Sequence, residues 1–214
     1  MMDNQFEDRT QAGEQLAESL KDYAGRDDVI VLALPRGGVP VGHAIAQALN
    51  VPLDVLTVRK LGVPGQQELA FGAIASGGSR VLNRDVVVTG RIDDNTIEKV
   101  AERERRELQR RESAYRGDRP FPSLENKTVI LVDDGIATGA TMRAAVEGLR
   151  QLSPARVVIA VPVAPPRTCH ELESRADDVI CLMTPEGFGG VGRWYNRFDQ
   201  TTDEDVKALL GVTT

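Results

Sequence analysis

Residues 129–142, VILVDDGIATGATM, constrain the fold more than any other stretch of the chain. Val129, Ile130, Leu131 and Val132 are apolar without a polar alternation, so the strand they form must be covered on both faces, as in the middle of a parallel sheet. The run then breaks into two adjacent acids, Asp133 and Asp134, followed by a loop of small residues and hydroxyls, with a helix expected over 142–152. A helix start leaves backbone N–H groups unpaired at the positive end of the helix dipole, and small side chains let an anion approach them. Gly135, Ile136, Ala137, Thr138, Gly139, Ala140 and Thr141 are therefore expected to cradle a phosphate, with Thr138 and Thr141 adding hydroxyl donors. Two carboxylates at a strand end suit neighbouring sugar hydroxyls, or a divalent cation held by the same ligand. A ribose 5-phosphate satisfies both halves; the alternative is an ordinary strand, turn and helix whose acids only cap.

The same alternation of buried run and helical pattern recurs along the chain. Strands are expected over 29–34, 51–58, 156–161 and 178–183, and helices over 9–24, 41–49 and 167–174, which implies a parallel α/β sheet with helices on both faces. Phe6, Asp8 and Arg9 precede the first helix, within reach of the site. The first strand ends in Pro35-Arg36-Gly37-Gly38, where two glycines expose backbone N–H groups and Arg36 adds a fork of donors, a turn suited to diphosphate. The second strand ends in Arg59-Lys60, two cations that either point toward the same anion or form a solvated pair. Residues 61–68 read as a mobile loop, and 70–75 and 86–88 as short strands around the turn Ser76-Gly77-Gly78. Residues 93–115 form a densely charged helix with Ile97, Val100, Ala101 and Leu108 as its apolar stripe. Its arginines alternate with glutamates, so a solvated helix with internal ion pairs is expected rather than a nucleic-acid surface. The segment 184–198, TPEGFGGVGRWYNRF, is rich in glycine and rings and suits stacking on a planar base; a plain packing role for Trp194 is the alternative. A short helix over 202–210 closes the chain.

Twenty-six basic against 32 acidic residues leave a net charge of −6, which argues against a general nucleic-acid or membrane surface, so any anionic ligand needs a local basic site. Cys169 and Cys181 fit no metal spacing and are read as packing residues of a reducing cytosol; His43 and His170 have no second ligand set. With no apolar leader or membrane-length run, the protein is expected to be cytoplasmic.

The stretch from Asp133 to Thr141 resembles the phosphoribosyl-diphosphate (PRPP) loop of type I phosphoribosyltransferases, most closely that of the adenine enzymes, with Gly135 in place of an aliphatic residue and Ala140 in place of a glycine. The Arg36-Gly37-Gly38 turn is similar to the pyrophosphate loop of the xanthine-guanine enzymes, in which the peptide before the basic residue is often cis; here that is Pro35-Arg36. The run Val58-Arg59-Lys60 resembles the adenine and orotate enzymes, where such cations contact diphosphate, often across a dimer. The tail loosely resembles the hood of the hypoxanthine-guanine enzymes, where a Phe stacks on the purine and a Val-Gly follows, with Trp194 where an Asp is usual; the resemblance implies Phe188, Val191, Trp194 and Tyr195 as base-binding candidates. The resemblance implies one phosphoribosyltransferase domain over 1–214, a core of about 29–183, and a small hood from about 1–25 and 184–214. It implies a homodimer that takes Mg²⁺ with PRPP, no direct protein metal site, and transfer of the phosphoribosyl group to a nitrogenous acceptor in nucleotide salvage. Asp133 and Asp134 are expected on the ribose, residues 135–141 on the 5-phosphate, and Arg36, Gly37, Gly38, Arg59 and Lys60 on the diphosphate. Where the oxopurine enzymes carry an acid in the loop this chain has Ala137, so the proton relay falls to Glu68. A PRPP or nucleotide sensor without catalysis, and a PRPP or nucleotide hydrolase, are the alternative functions.

Overall fold

The computed structural model describes residues 5–212, with only the backbone for Gln67 and Glu68. In chain order its elements are α1 (Arg9–Ser19), β1 (Val29–Ala33), α2 (Gly38–Leu49), β2 (Leu53–Val55), β3 (Val58–Val63), β4 (Gln66–Ala75), β5 (Arg80–Leu82), α3 (Arg84–Thr89), α4 (Asp94–Arg116), β6 (Thr128–Val132), α5 (Ala140–Arg150), β7 (Arg156–Val163), α6 (Pro166–Glu173), β8 (Asp178–Met183) and α7 (Asp203–Leu209). Five strands form a parallel sheet in the order β2-β1-β6-β7-β8. Along β1, Ile30 and Leu32 pack under α5 with Met142, Val146 and Leu149, while Val29 and Val31 pack under α1 and α2 with Leu16, Val41 and Ile45. Alternate residues are thus buried on opposite faces, which is why β1 and β6 read as unbroken apolar runs. The expected parallel sheet with helices on both faces is the fold observed.

A second, antiparallel sheet in the order β3-β4-β5 packs on α4. Here two expectations fail. Residues 61–68 are a hairpin rather than a mobile loop: Leu61 is fully buried with Phe71, Ile97 and Val100, and Gly65 makes the turn at φ 81°. Residues 86–88 are helical rather than extended, because Asn83 caps α3 by accepting a hydrogen bond from the Val86 N–H. α4 follows the expected apolar stripe but is not merely solvated. Its Arg116 is 4% exposed, bound to Asp54 at 2.8 Å and Glu112 at 3.0 Å, and so ties the helix to β2.

Cys169 and Cys181 are not separate packing residues: they form a disulfide between α6 and β8. Twelve residues apart in sequence, they meet because α6 folds back along its neighbouring strand, a proximity no sequence spacing reports. The two ends of the chain also meet, Phe6 pairing with Tyr195 in a parallel bridge beside the capped start of α1, where Asp8 accepts from the Thr10 and Gln11 N–H groups. Among the described residues no helix is long and apolar enough to cross a membrane.

Candidate active site

The site begins with strand register. β1 and β6 pair from Val29 with Thr128 to Ala33 with Val132, so both strands stop together and the turns that follow lie side by side. The Leu34 N–H donates to the Val132 carbonyl at 2.8 Å, and the Pro35–Arg36 peptide beyond it is cis. A Cβ on Gly37 would stand 2.1 Å from Asp134 Oδ2, and one on Gly38 would stand 2.8 Å from the Val132 carbonyl oxygen and 2.9 Å from Asp133 Cα. No side chain fits at either position. The glycines bring the Arg36 turn directly against the two acids, a close approach rather than a conformational need.

Asp133 Oδ1 accepts the Asp134 N–H at 2.9 Å, and Asp134 Oδ2 accepts Arg9 Nε at 2.9 Å. Arg9 is held by more than that pair: Nη1 donates to the Asp199 carbonyl at 2.7 Å, and Cζ lies 3.9 Å above the Phe198 ring. The Tyr195 hydroxyl donates to the Asp134 carbonyl at 2.6 Å. Burial pushes the Asp133 carboxyl well above the usual carboxylate range, and the neighbouring Asp134 charge adds to it. Burial raises Asp134 as well, and the Arg9 guanidinium pulls it back.

The loop after the acids is braced from outside. The Ile136 N–H donates to the Val163 carbonyl at 2.9 Å, Arg143 Nη1 to the Thr138 carbonyl at 3.0 Å, and Thr168 Oγ1 to the Ala137 carbonyl at 3.0 Å. Gly139 takes φ 73°, a left-handed conformation that starts α5 at Ala140, two residues before the expected helix. Ala137, Thr138 and Thr141 face solvent. Sequence reasoning missed Thr168, whose only signal is its place one residue before Cys169 on α6. Thr168→Val is expected to cost about 1 kcal/mol, the worth of one hydrogen bond, and to speed amide exchange in 136–139. Unchanged unfolding midpoint and exchange would show that the loop holds its shape unaided.

The remaining expected residues are not all brought together. Arg36 lines a cavity of about 170 Å³ against α4, while Lys60 lines a different one, of about 530 Å³, beside Ala140, Arg84, Arg143 and Arg175. Arg59 turns away from both onto Glu104 of α4, with its Nη2 2.6 Å from Oε2. The side chain of Glu68 lies outside the described residues. In the tail, Val191 packs over Gly135, where an added Cβ would lie 2.6 Å from Val191 Cγ1. Trp194 Nε1 donates to the Phe188 carbonyl at 2.9 Å. Tyr195 cannot serve as a stacking face: it is 4% exposed, wedged between Phe6 and Phe198 at ring distances of 5.5 and 5.0 Å, with its hydroxyl committed. Phe198 is the exposed ring of this cluster, and nothing in the sequence separated it from Tyr195.

Acids at a strand end, a glycine turn pressed against them and a braced small-residue loop together define a class that comparison with known proteins identifies. Residues 4–195 match the family model described as the phosphoribosyl transferase domain, and the chain belongs to that family. It is 48% identical over 205 residues, 96% of its length, to a Mycobacterium tuberculosis protein named for phosphoribosyl transfer with no acceptor in the name. The chain spans about half, 46%, of the length of that curated relative. A PyrR bifunctional protein of Chloroflexus aurantiacus is 33% identical over 147 residues, 67% of this chain and 74% of its own. Among solved structures, the crystal structure of TT1426 from Thermus thermophilus is similar at 44% identity and a TM-score of 0.85, covering 96% of this chain and 97% of its own.

Proposed function

We propose that the chain transfers the 5-phosphoribosyl group of PRPP to a nitrogenous acceptor and releases diphosphate. The observation that carries this reading is the contact of Gly37 and Gly38 with Asp134 and Asp133, which leaves one continuous edge from the Arg36 turn through the acids to the loop 135–141. Diphosphate on the turn, ribose hydroxyls on the acids and 5-phosphate in the loop follow that edge in the chemical order of PRPP. Asp133 and Asp134 are hard oxygen donors suited to Mg²⁺ carried by the substrate's own oxygens, where the ion would neutralise charge on the leaving diphosphate. The chain's own residues position the ribose and stabilise the leaving anion, and no covalent protein intermediate is required. Phe188, Val191 and Trp194 are the tail residues left for the acceptor. One domain, acting as a homodimer, completes the reading.

Ala137 has no proton to exchange with an oxopurine. The acceptor is therefore expected to be an aminopurine such as adenine, or a non-purine amine, with hypoxanthine and guanine poor. Mixing the protein with PRPP, Mg²⁺ and a panel of bases and following diphosphate release tests both statements. Faster turnover of guanine or hypoxanthine than adenine would overturn the acceptor assignment, and diphosphate release without any acceptor would mean hydrolysis.

A further inference from the structure

The cavity of about 170 Å³ that holds Arg36 lies between α4 and the start of α7, and its other lining residues are Arg110, Arg111, Ala114, Tyr115 and Asp203. Three guanidinium groups from two distant parts of the chain surround one small space. Each guanidinium has five N–H donors, and a single acid backs two of them: Arg110 uses Nε and Nη2 on Glu107, at 2.8 and 2.9 Å, and Arg111 uses Nε alone, at 2.9 Å. Among the described residues neither terminal nitrogen of Arg111 makes a hydrogen bond. Among the described residues the one carboxylate that lines the cavity is Asp203. Its Oδ1 accepts the Tyr115 hydroxyl at 2.6 Å and stands 3.9 Å from Arg36 Nη1. Counting Arg36, Arg110 and Arg111 against Asp203 and Glu107 leaves one positive charge in excess, and two once Asp203 is out of the space.

Asp203 is placed to leave. Its side chain is 52% exposed, and the cap of α7 does not depend on it, because Thr202 and Asp205 form a reciprocal capping box. Tyr115 stays a donor at neutral pH, since burial and the Asp203 contact push its hydroxyl up to about 12. The space also adjoins the Arg36 turn, because Arg36 belongs to both.

We propose that this cavity is an anion subsite that receives the outer phosphate of the diphosphate group, with Arg110, Arg111 and Tyr115 as added donors, and that the Asp203 carboxylate fills it when no phosphate is bound. The proposal rests on the reading of Arg36 as a diphosphate residue and extends it to α4, whose Arg110 and Arg111 otherwise pair with Glu107 of the same helix. Bound phosphate takes over the Tyr115 hydrogen bond, and Asp203 swings to solvent.

The test is calorimetry with inorganic diphosphate, Mg²⁺-PRPP and ribose 5-phosphate on the full chain. Arg111→Gln is expected to weaken diphosphate and PRPP by about tenfold or more, the cost of charged hydrogen bonds, and to leave ribose 5-phosphate unchanged. Asp203→Asn removes the competing charge and is expected to tighten diphosphate several-fold, a gain that no folding defect can produce. Arg111→Lys should recover only part of the loss, because an ammonium lacks the planar fork. Unchanged diphosphate affinity in Arg111→Gln and Asp203→Asn, with normal PRPP binding by the parent chain, would overturn the cavity assignment alone. Diphosphate binding that depends on Arg111 in a chain that binds no PRPP would overturn the phosphoribosyl reading and keep the subsite.

Discussion

Asp133→Asn is expected to make the folded chain more stable at neutral pH and, in the same protein, a much poorer binder of PRPP. Burial and the Asp134 charge raise the Asp133 carboxyl well above 3.8, its ordinary value. Between that ordinary value and the raised one, the folded chain holds a proton that the unfolded chain has lost, so stability falls as pH rises through this window and stays lowered above it. Asparagine carries no charge to bury, and its Oδ1 still accepts the Asp134 N–H that Asp133 accepts at 2.9 Å. The stability gap between variant and parent should therefore be small below the window and open on its neutral side. Each kcal/mol gained shifts the melting temperature of a chain this size by about 2–4 °C. Binding should move the other way, with loss of charged hydrogen bonds to the ribose hydroxyls costing about 1.5–3 kcal/mol of Mg²⁺-PRPP affinity. Urea midpoints at acid and neutral pH, with calorimetry at neutral pH, read both signs. A variant that loses stability at neutral pH while keeping PRPP affinity would show that the acid serves the fold and not a ligand.

Arg9→Ala is expected to destabilise the chain at neutral pH by an amount approaching the roughly 3–5 kcal/mol typical of breaking a buried ion pair from one side. The side chains of Arg9 and Asp134 are only 12% and 15% exposed, and removing the guanidinium also takes away its contact with the Phe198 ring at 3.9 Å and the Asp199 carbonyl at 2.7 Å. Burial already raises the Asp134 carboxyl, and Arg9 is the group that holds it down. Without Arg9 that carboxyl rises further, so the window in which stability falls with rising pH extends upward, and mild acid should recover part of the loss. Arg9→Lys keeps the charge and loses the fork and the stacked plane, so it should recover less than the full difference. A neutral-pH melting temperature in Arg9→Ala equal to that of the parent would mean that Arg9 and Asp134 are each as well solvated apart as together.

The parts legible in the sequence are those whose physics is local. The runs at 29–34 and 129–132 have no polar residue on either face, and they form strands buried along their whole length, as a strand covered on both faces requires. The acids, the small-residue loop and the helix start are contiguous, so their geometry follows from a few neighbouring backbone angles. The misreadings fall where a local pattern has two solutions. Residues 86–88 suit a strand as well as a helix until Asn83 caps the helix, and residues 61–68 look like a loop until Leu61 is seen buried against Phe71 and Ile97.

By itself the sequence determined the parallel sheet, the order of glycine turn, acid pair and small-residue loop, and the family to which they belong, because each is written in residues next to one another. Only the tertiary structure decided which charges meet: Arg9 with Asp134 across 125 positions, Arg59 with Glu104, Arg36 with the arginines of α4, and Cys169 with Cys181. It also decided that Tyr195 is a buried brace and Phe198 the exposed ring. A charged or aromatic side chain carries the same local signal whether it faces solvent, a ligand or another element, and its partner is set by how the sheet register and helix packing place distant segments in space.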